Sequence, residues 1–127
     1  MAKRSRSTSI QGNLLVATES TRGLKATNED RACSVRVERV GMCFGVYDGH
    51  GAVGDKASQF TADQVIANLE PLLVDGMKEE EALKTAFLQT DDQLKKNRAI
   101  DAELSGTTAV VVLYRQTGEK HEAWVAW

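Results

Sequence analysis

The chain has 127 residues, of which 42% are hydrophobic and 27% charged, and its formal net charge is −2 at pH 7. This length suits one domain with a modest core. The slightly acidic balance argues against a nucleic-acid partner, which needs a dominant basic surface, and no apolar run approaches the ~20 residues of a membrane span, so no membrane partner is expected either.

The first nine residues are polar and basic, and no hydrophobic segment follows them. Such a stretch is not a secretory signal, and Ala2 stands where N-myristoylation needs a glycine. We therefore expect residues 1–9 to form a disordered basic tail and residues 10–127 to form the folded unit. The expected location is intracellular, either cytoplasmic or nuclear.

The predicted elements begin with three strands. A mixed apolar stretch over residues 10–18 indicates the first strand, and regular alternation over residues 31–39 indicates a half-buried second strand. Residues 42–47 form a short apolar and aromatic run that is typical of a fully buried third strand. Because the connections between these strands are short, the strands must pair antiparallel.

Two helices and a hairpin are predicted next. Apolar residues at helical spacing run from about Gly54 to the neighbourhood of Pro71. A second helix begins with three glutamates and ends with lysines, which is the charge order that the helix dipole favours. The β-prone residues 107–114 and 122–127 predict the hairpin. The whole order indicates a layered α+β architecture in which the helices pack as an antiparallel pair on the sheet.

Three carboxylates fall at the predicted strand ends. Glu29 and Asp30 enter the second strand and Asp48 leaves the third, so pairing of these strands brings them together. Clustered carboxylates repel one another unless a cation lies among them, and hard divalent cations prefer oxygen ligands. Gly49 allows its carbonyl to face a metal, and His50 is suited to proton transfer. Each motif alone is also typical of an ordinary polar turn, but together they favour metal-assisted hydrolysis of a phosphate ester.

Three segments resemble the PP2C (PPM) family of metal-dependent protein serine/threonine phosphatases in content, order and spacing: Lys25–Asp30 (KATNED), Phe44–Gly51 (FGVYDGHG) and Ser105–Val111 (SGTTAVV). The resemblance implies an α+β fold, a layered α-β-β-α sandwich, that holds two Mn²⁺ or Mg²⁺ ions. It also implies hydrolysis of phosphoserine and phosphothreonine in a phosphoprotein substrate by a metal-activated water. Residues 10–127 then correspond to the N-terminal part of a PPM-type phosphatase domain.

The resemblance also implies roles for individual residues. Glu29, Asp48 and the backbone carbonyl of Gly49 are the implied metal ligands, and Asp48 would bridge both ions. Asp30 would hold metal-bound water. His50 would be the general acid that protonates the leaving alkoxide.

The chain departs from the family pattern in two places. Lys25 stands where the family often has an arginine that grips the substrate phosphate, and a lysine cannot form the bidentate contact of a guanidinium group. The chain also ends at Trp127, before the Gly-Asp-Ser turn and the later aspartates of the family. We therefore expect an incomplete sandwich whose C-terminal strands are missing. Such a chain would be inactive alone and would self-associate through exposed strand edges.

Two alternative functions remain open. A pseudophosphatase or binding fragment would fit a chain with an incomplete site. Gly49–Gly54 matches GxGxxG and would fit a dinucleotide-binding βαβ unit, with Asp75 as the ribose-binding acid. Against that unit, the nearby carboxylates would repel a pyrophosphate, and the second strand it needs is only Leu72–Val74.

Overall fold

The computed structural model describes residues 4–11 and 13–127. Along these residues four strands are followed by two helices and then three strands. Their bounds are β1 Arg4–Gln11, β2 Leu14–Thr21, β3 Asp30–Val37, β4 Gly41–Gly51, α1 Gly54–Val74, α2 Glu79–Lys96, β5 Ser105–Thr107, β6 Val110–Thr117 and β7 Lys120–Ala126.

The central sheet is antiparallel and has the strand order β3-β4-β6-β7, while the short β5 pairs with the last residues of β4. At the middle of the sheet, Gly45 of β4 lies opposite Cys33 in β3 and Val111 in β6. The antiparallel pairing predicted from the short connections is confirmed for β3 and β4. It is wrong for the first predicted strand, because β2 pairs with β1 in a separate two-stranded sheet and not with β3. The third predicted strand continues to Gly51 instead of ending at Tyr47, because β5 supplies backbone partners for this last segment.

The two helices cover one face of the sheet. Alternate residues of β4, such as Cys43 and Tyr47, are buried in the same cluster as Val111 and Leu113 of β6. The helices contribute residues at spacings of three and four to this cluster, among them Ala62, Val65, Leu69, Leu83 and Ala86. Burial of apolar surface, at about 25 cal/mol per Å², is what holds this layer to the sheet.

The helix pair is also joined by polar contacts. The side-chain amide of Asn68 in α1 donates hydrogen bonds to Thr90 at 3.0 Å and to Gln93 at 2.9 Å, both in α2. Both predicted helices are confirmed, and α2 carries glutamates in its first turn and lysines in its last turn. Within the described part of the chain, no helix combines the length and the apolar character that crossing a membrane requires.

The face of the sheet opposite the helices is partly open, although Met42 on this face is buried. Val46, Val110 and Val125 lie on this face, and they remain 55%, 39% and 52% exposed. The predicted α+β class is confirmed, with one helical layer packed on the central sheet.

The N-terminal residues differ from the prediction. β1 and β2 form an antiparallel hairpin in which the hydroxyl groups of Ser7 and Thr18 lie 2.9 Å apart. The predicted disordered tail is therefore wrong for residues 4–9, which belong to β1, whereas residues 1–3 lie outside the described residues.

The predicted single strand over residues 10–18 is also wrong, because the connection between β1 and β2 falls inside this range. The hairpin has no fully buried apolar stripe: Ile10 and Leu15 are 79% and 74% exposed, and Leu14 and Val16 are only half-buried. Cross-strand backbone pairing therefore defines these strands, and a hydrophobic pattern does not reveal them.

Candidate active site

Two aspartates face each other at one edge of the central sheet. Asp30 is the first residue of β3, and its register partner is Asp48 in β4. Both carboxylates line a cleft of about 390 Å³ together with Glu19 of β2 and Thr108. The structure thus brings the ends of these two strands together, as their predicted pairing required.

The two aspartates carry like charges at directly opposed positions of the sheet. Burial, and then the neighbouring charge and hydrogen bond of Asp48, raise the pKa of the Asp30 carboxyl, while Lys25 partly opposes the shift. Like charges placed directly opposite each other in a sheet are destabilising. A cation entering the cleft would relieve this repulsion.

The backbone of Glu29 is held in place just before β3. Its carbonyl oxygen accepts hydrogen bonds from the Ser58 hydroxyl of α1 at 2.6 Å and from the Gly49 N–H at 3.1 Å. On its other side, the Asn28 side-chain oxygen accepts a hydrogen bond from the Asp30 N–H at 3.1 Å. This polar turn fixes the point at which the Glu29 carboxylate leaves the main chain.

Two glycines allow β4 and the start of α1 to touch backbone to backbone. A Cβ atom on Gly49 would lie 2.1 Å from the carbonyl oxygen of Gly54. A Cβ atom on Gly54 would lie 3.1 Å from Glu29 Oε1 and 3.3 Å from the carbonyl oxygen of Gly49. A carboxylate oxygen and a carbonyl oxygen, two of the predicted metal-binding groups, therefore lie around one point at the start of α1.

His50 lies beside β5. Its register partner is Gly106, and a Cβ atom on Gly106 would come within 3.0 Å of His50 Nε2. Because glycine has no side chain, position 106 leaves room for the imidazole ring of His50. His50 itself is exposed, so its ring is accessible from the solvent.

The segment between β5 and β6 fastens the end of β4. Thr108 Oγ1 accepts a hydrogen bond from the Asp48 N–H at 3.0 Å, and the Thr108 N–H donates to the Asp48 carbonyl at 2.9 Å. The buried Ser105 Oγ accepts a hydrogen bond from the Val53 N–H at 3.0 Å, directly before α1. These bonds fix the position of the Asp48 backbone relative to the start of α1.

These positioning roles were not assigned from the sequence. The SGTTA segment is recognisable as a motif, but its bonding partners lie 52 and 60 residues earlier in the chain. Ser58 gave no signal at all, since it is one serine within a helix whose periodicity is apolar. A serine–threonine cluster next to a predicted strand end was the available hint for Ser105 and Thr108.

Lys25 forms an ion pair with Glu29, and the distance from its Nζ to Glu29 Oε2 is 2.5 Å. The hydrogen bond and charge of Glu29, with smaller contributions from Asp48 and Asp30, raise the pKa of Lys25. Its loop is braced by Arg22, which donates to the carbonyl oxygens of Lys25 and Ala26 at 2.8 and 2.9 Å. All predicted site residues are therefore at one edge of the sheet: Lys25, Glu29, Asp30, Asp48, Gly49 and His50.

The donor atoms in this region are hard oxygens, as Mn²⁺ and Mg²⁺ prefer. Over residues 4–11 and 13–127, no group of three or more His, Cys, Asp or Glu side chains is arranged to hold a single metal ion. The groups that fit a cation are the Glu29 carboxylate, the Gly49 carbonyl and the Asp48 carboxylate, the last of which repels its neighbour Asp30.

The dinucleotide alternative does not fit the fold. The Gly49–Gly54 segment joins an antiparallel strand to α1, and the required second strand at Leu72–Val74 is the last turn of that helix. A βαβ unit needs two parallel strands with a helix between them. Gly49 and Gly54 instead serve the close contact between β4 and α1, and Gly51 lies against the backbone of Leu104 and Ser105.

Comparison with known proteins identifies the family of the chain. The sequence model of the family "Protein phosphatase 2C" matches residues 16–127. The chain is 38% identical over 92 residues to "Probable protein phosphatase 2C 35" of Arabidopsis thaliana, which covers 68% of this chain and 25% of that protein. It is also 38% identical over 86 residues to "Protein phosphatase 2C homolog 2" of Aspergillus flavus, which covers 65% of this chain and 18% of that protein.

A solved structure shares the fold. The PPM Ser-Thr phosphatase MsPP from Mycobacterium smegmatis, in complex with cacodylate, aligns with a TM-score of 0.57 at 18% identity and covers 96% of this chain and 52% of that one. The chain thus spans about a quarter or less of these two curated relatives and about half of the solved structure. Because the family match extends over residues 16–127, the chain belongs to the protein phosphatase 2C family.

Proposed function

We propose that the chain supplies part of the active site of a protein serine/threonine phosphatase that hydrolyses phosphoserine and phosphothreonine with the help of Mn²⁺ or Mg²⁺. The observation that supports this proposal most directly is the register pairing of Asp30 with Asp48, beside Glu29 and His50, at one edge of the sheet. Two facing carboxylates disfavour each other, and a divalent cation is the partner that offsets their repulsion.

The metal-binding groups in this proposal are Glu29, Asp48 and the carbonyl of Gly49, and Asp30 accepts hydrogen bonds from bound water. When bound, Mn²⁺ or Mg²⁺ supplies positive charge to the phosphate group and acidifies a water molecule. The role of this chain is to hold the oxygen atoms in place. It does so through the Ser58 contact with the Glu29 backbone and the two Thr108 contacts with the Asp48 backbone.

His50 is the proposed general acid. Its ring lies at the rim of the same edge, beside Gly106, where it is open to solvent and to a substrate. A serine or threonine alkoxide is a poor leaving group, and protonation by a positioned imidazolium lowers the barrier to its departure. Lys25 supplies a single point charge to the substrate phosphate and not a bidentate contact.

The proposal is tested with two proteins, the 127-residue chain and an extended form in which residue 127 is followed by the remaining C-terminal part of the Arabidopsis thaliana relative. Both are assayed with Mn²⁺ on a phosphopeptide and on p-nitrophenyl phosphate. We expect turnover by the extended form, lost in Asp48→Ala, and none by the 127-residue chain. Metal binding without turnover in the extended form would instead indicate a pseudophosphatase.

The role of His50 has its own test in the extended form. We expect His50→Gln to lower kcat on the phosphopeptide by about 10²–10⁴-fold. The loss on p-nitrophenyl phosphate should be much smaller, because p-nitrophenolate leaves without protonation. An equal loss on both substrates would contradict the general-acid role and point to a positional one.

A further inference from the structure

The carboxylate of Glu29 already has a cationic partner. The Lys25 ammonium lies 2.5 Å from Glu29 Oε2. The same ammonium is within electrostatic range of both Asp48 and Asp30. In the chain as it stands, Lys25 therefore provides positive charge to all three carboxylates of the proposed metal site.

The two members of this ion pair differ in exposure and in how firmly they are held. Glu29 is fixed through its backbone by Ser58 and Gly49, and its side chain is only 19% exposed. The side chain of Lys25 is 61% exposed and lies on a loop. A lysine ammonium is a point charge on a flexible stem, and it can leave one oxygen partner for another at little geometric cost. Lys25 is therefore the member that can move.

A divalent cation and the ammonium cannot share Glu29 without repulsion. The ammonium contacts Glu29 Oε2, while Oε1 is the oxygen that lies toward the Gly49 carbonyl. A metal ion at Oε1 and the ammonium at Oε2 would share one carboxylate, and two cations repel each other at such short range. A divalent ion has the larger charge and prefers carboxylate oxygens.

We propose that Lys25 is an internal counterion of Glu29 that divalent metal must displace, so that this lysine lowers the metal affinity of the site. The inference rests on the proposed metal-dependent function. Displacement leaves the ammonium beside the site without its carboxylate partner. In that state it is available to a phosphate group, which is the role that the family resemblance implies for this position.

The test measures binding of Mn²⁺ alone, from the electron paramagnetic resonance signal of the free ion, to the wild-type chain and to Lys25→Met. We expect Lys25→Met to lower the Kd for Mn²⁺ by about two- to fivefold, the range that corresponds to an exposed ion pair. In the Glu29→Gln background the same substitution should have a clearly smaller effect, because the amide does not pair with the ammonium.

Lys95→Met is the matched control. Lys95 forms an ion pair with Asp91 that has the same four-residue spacing and the same 2.5 Å distance, but it lies at the end of α2. Its removal should leave the Kd unchanged. All variants are compared at protein concentrations where they have the same sedimentation coefficient, so that differences in self-association do not affect the Kd.

Two results overturn the inference alone while leaving the metal site standing. One is Mn²⁺ binding that is lost in Asp48→Ala but is not tightened by Lys25→Met. The other is an equal gain from Lys25→Met with and without Glu29, which would reflect general charge and not displacement from Glu29. Absence of Mn²⁺ binding in every variant would overturn the proposed metal site and this inference together.

Discussion

Asp30 and Asp48 illustrate how a functional residue lowers the stability of the fold that holds it. Their carboxylates occupy directly opposed positions in β3 and β4, where an apolar or oppositely charged pair would contribute to sheet stability. The pKa of Asp30 is raised above its ordinary value of 3.8, first by burial and then by Asp48. A side chain selected for stability alone would not be an aspartate here.

The sign of the pH effect follows from this shift. Because the folded-state pKa of Asp30 exceeds the unfolded value of 3.8, the folded chain binds a proton more readily than the unfolded chain does. Ionisation of Asp30 therefore disfavours the fold as the pH rises from about 4 through the folded-state pKa, and the full cost is present at neutral pH.

Asp30→Asn should accordingly raise the melting temperature of the metal-free chain at pH 7, and the gain should shrink as the pH falls toward 4. Thermal melts from pH 4 to 7 in the presence of a chelator measure this. Glu119→Gln, in the exposed turn between β6 and β7, removes one negative charge away from the site and should give no such gain. A gain for Asp30→Asn that is independent of pH would contradict the electrostatic cause.

Gly49 shows why the Asp48-Gly49 pair, taken alone, is more typical of a turn than of a site. Asp48-Gly49 is a common turn pair, yet here both residues are within β4. Gly49 is needed because its α-carbon faces the first carbonyl of α1, where a Cβ atom would come within 2.1 Å. That contact joins residues of two different elements, so no local sequence pattern predicts it.

At the scale of elements, the segment around β5 determines where α1 begins. The N-cap residue Val53 has no side-chain cap of its own. Its N–H instead donates to the buried hydroxyl of Ser105, which comes from β5. The start of the helix, and with it the Gly54 contact beside Glu29, is thus fixed by a strand that follows 52 residues later.

Ser105→Ala should lower the free energy of unfolding by about 1–2 kcal/mol, since it leaves the Val53 N–H without its acceptor. Urea denaturation at constant pH measures the loss. The control is Thr107→Val in the same strand, because the Thr107 hydroxyl donates only to the carbonyl of the next residue, and its loss should be about 0.5 kcal/mol or less. Equal losses for the two variants would show that the Ser105 bond does not carry the effect.

The elements that could be predicted from the sequence are those with an apolar period. α1 and α2 each bury one apolar stripe, so the helical spacing of their apolar residues predicts them. β3 is predicted by its alternating pattern and β4 by its apolar run. β1 and β2 bury no such stripe, and β5 has only three residues, so these elements depend on pairing partners that a local pattern does not show.

The site likewise has features that a local pattern predicts and features that depend on residues distant in the chain. The carboxylates Glu29, Asp30 and Asp48 could be predicted to meet, because antiparallel pairing of adjacent strands requires it. The contacts that position them come from Ser58 and Thr108, in elements distant along the chain. The Lys25–Glu29 ion pair was also unpredictable, since it forms across an irregular loop and not on a helix face.

At the scale of the whole molecule, the helices protect only one side of the central sheet. The open side carries apolar residues on three strands, including Val46, Val110 and Val125. Among the described strands, β7 lies at the end of the sheet order and pairs only with β6. An apolar sheet face that ends in a free strand edge favours pairing with another copy of the chain.

We therefore expect the 127-residue chain to self-associate, with a sedimentation coefficient that rises with concentration. Val125→Lys places a charge on the open face at the sheet edge and should shift the chain toward monomer. Val74→Lys is the matched control, because Val74 is exposed to the same degree, 51% against 52% for Val125, but lies at the end of α1. Wild-type chain that sediments as a monomer at every concentration would show that the open face is tolerated in water. Equal effects of both substitutions would show that added charge, and not its position on the sheet, controls association.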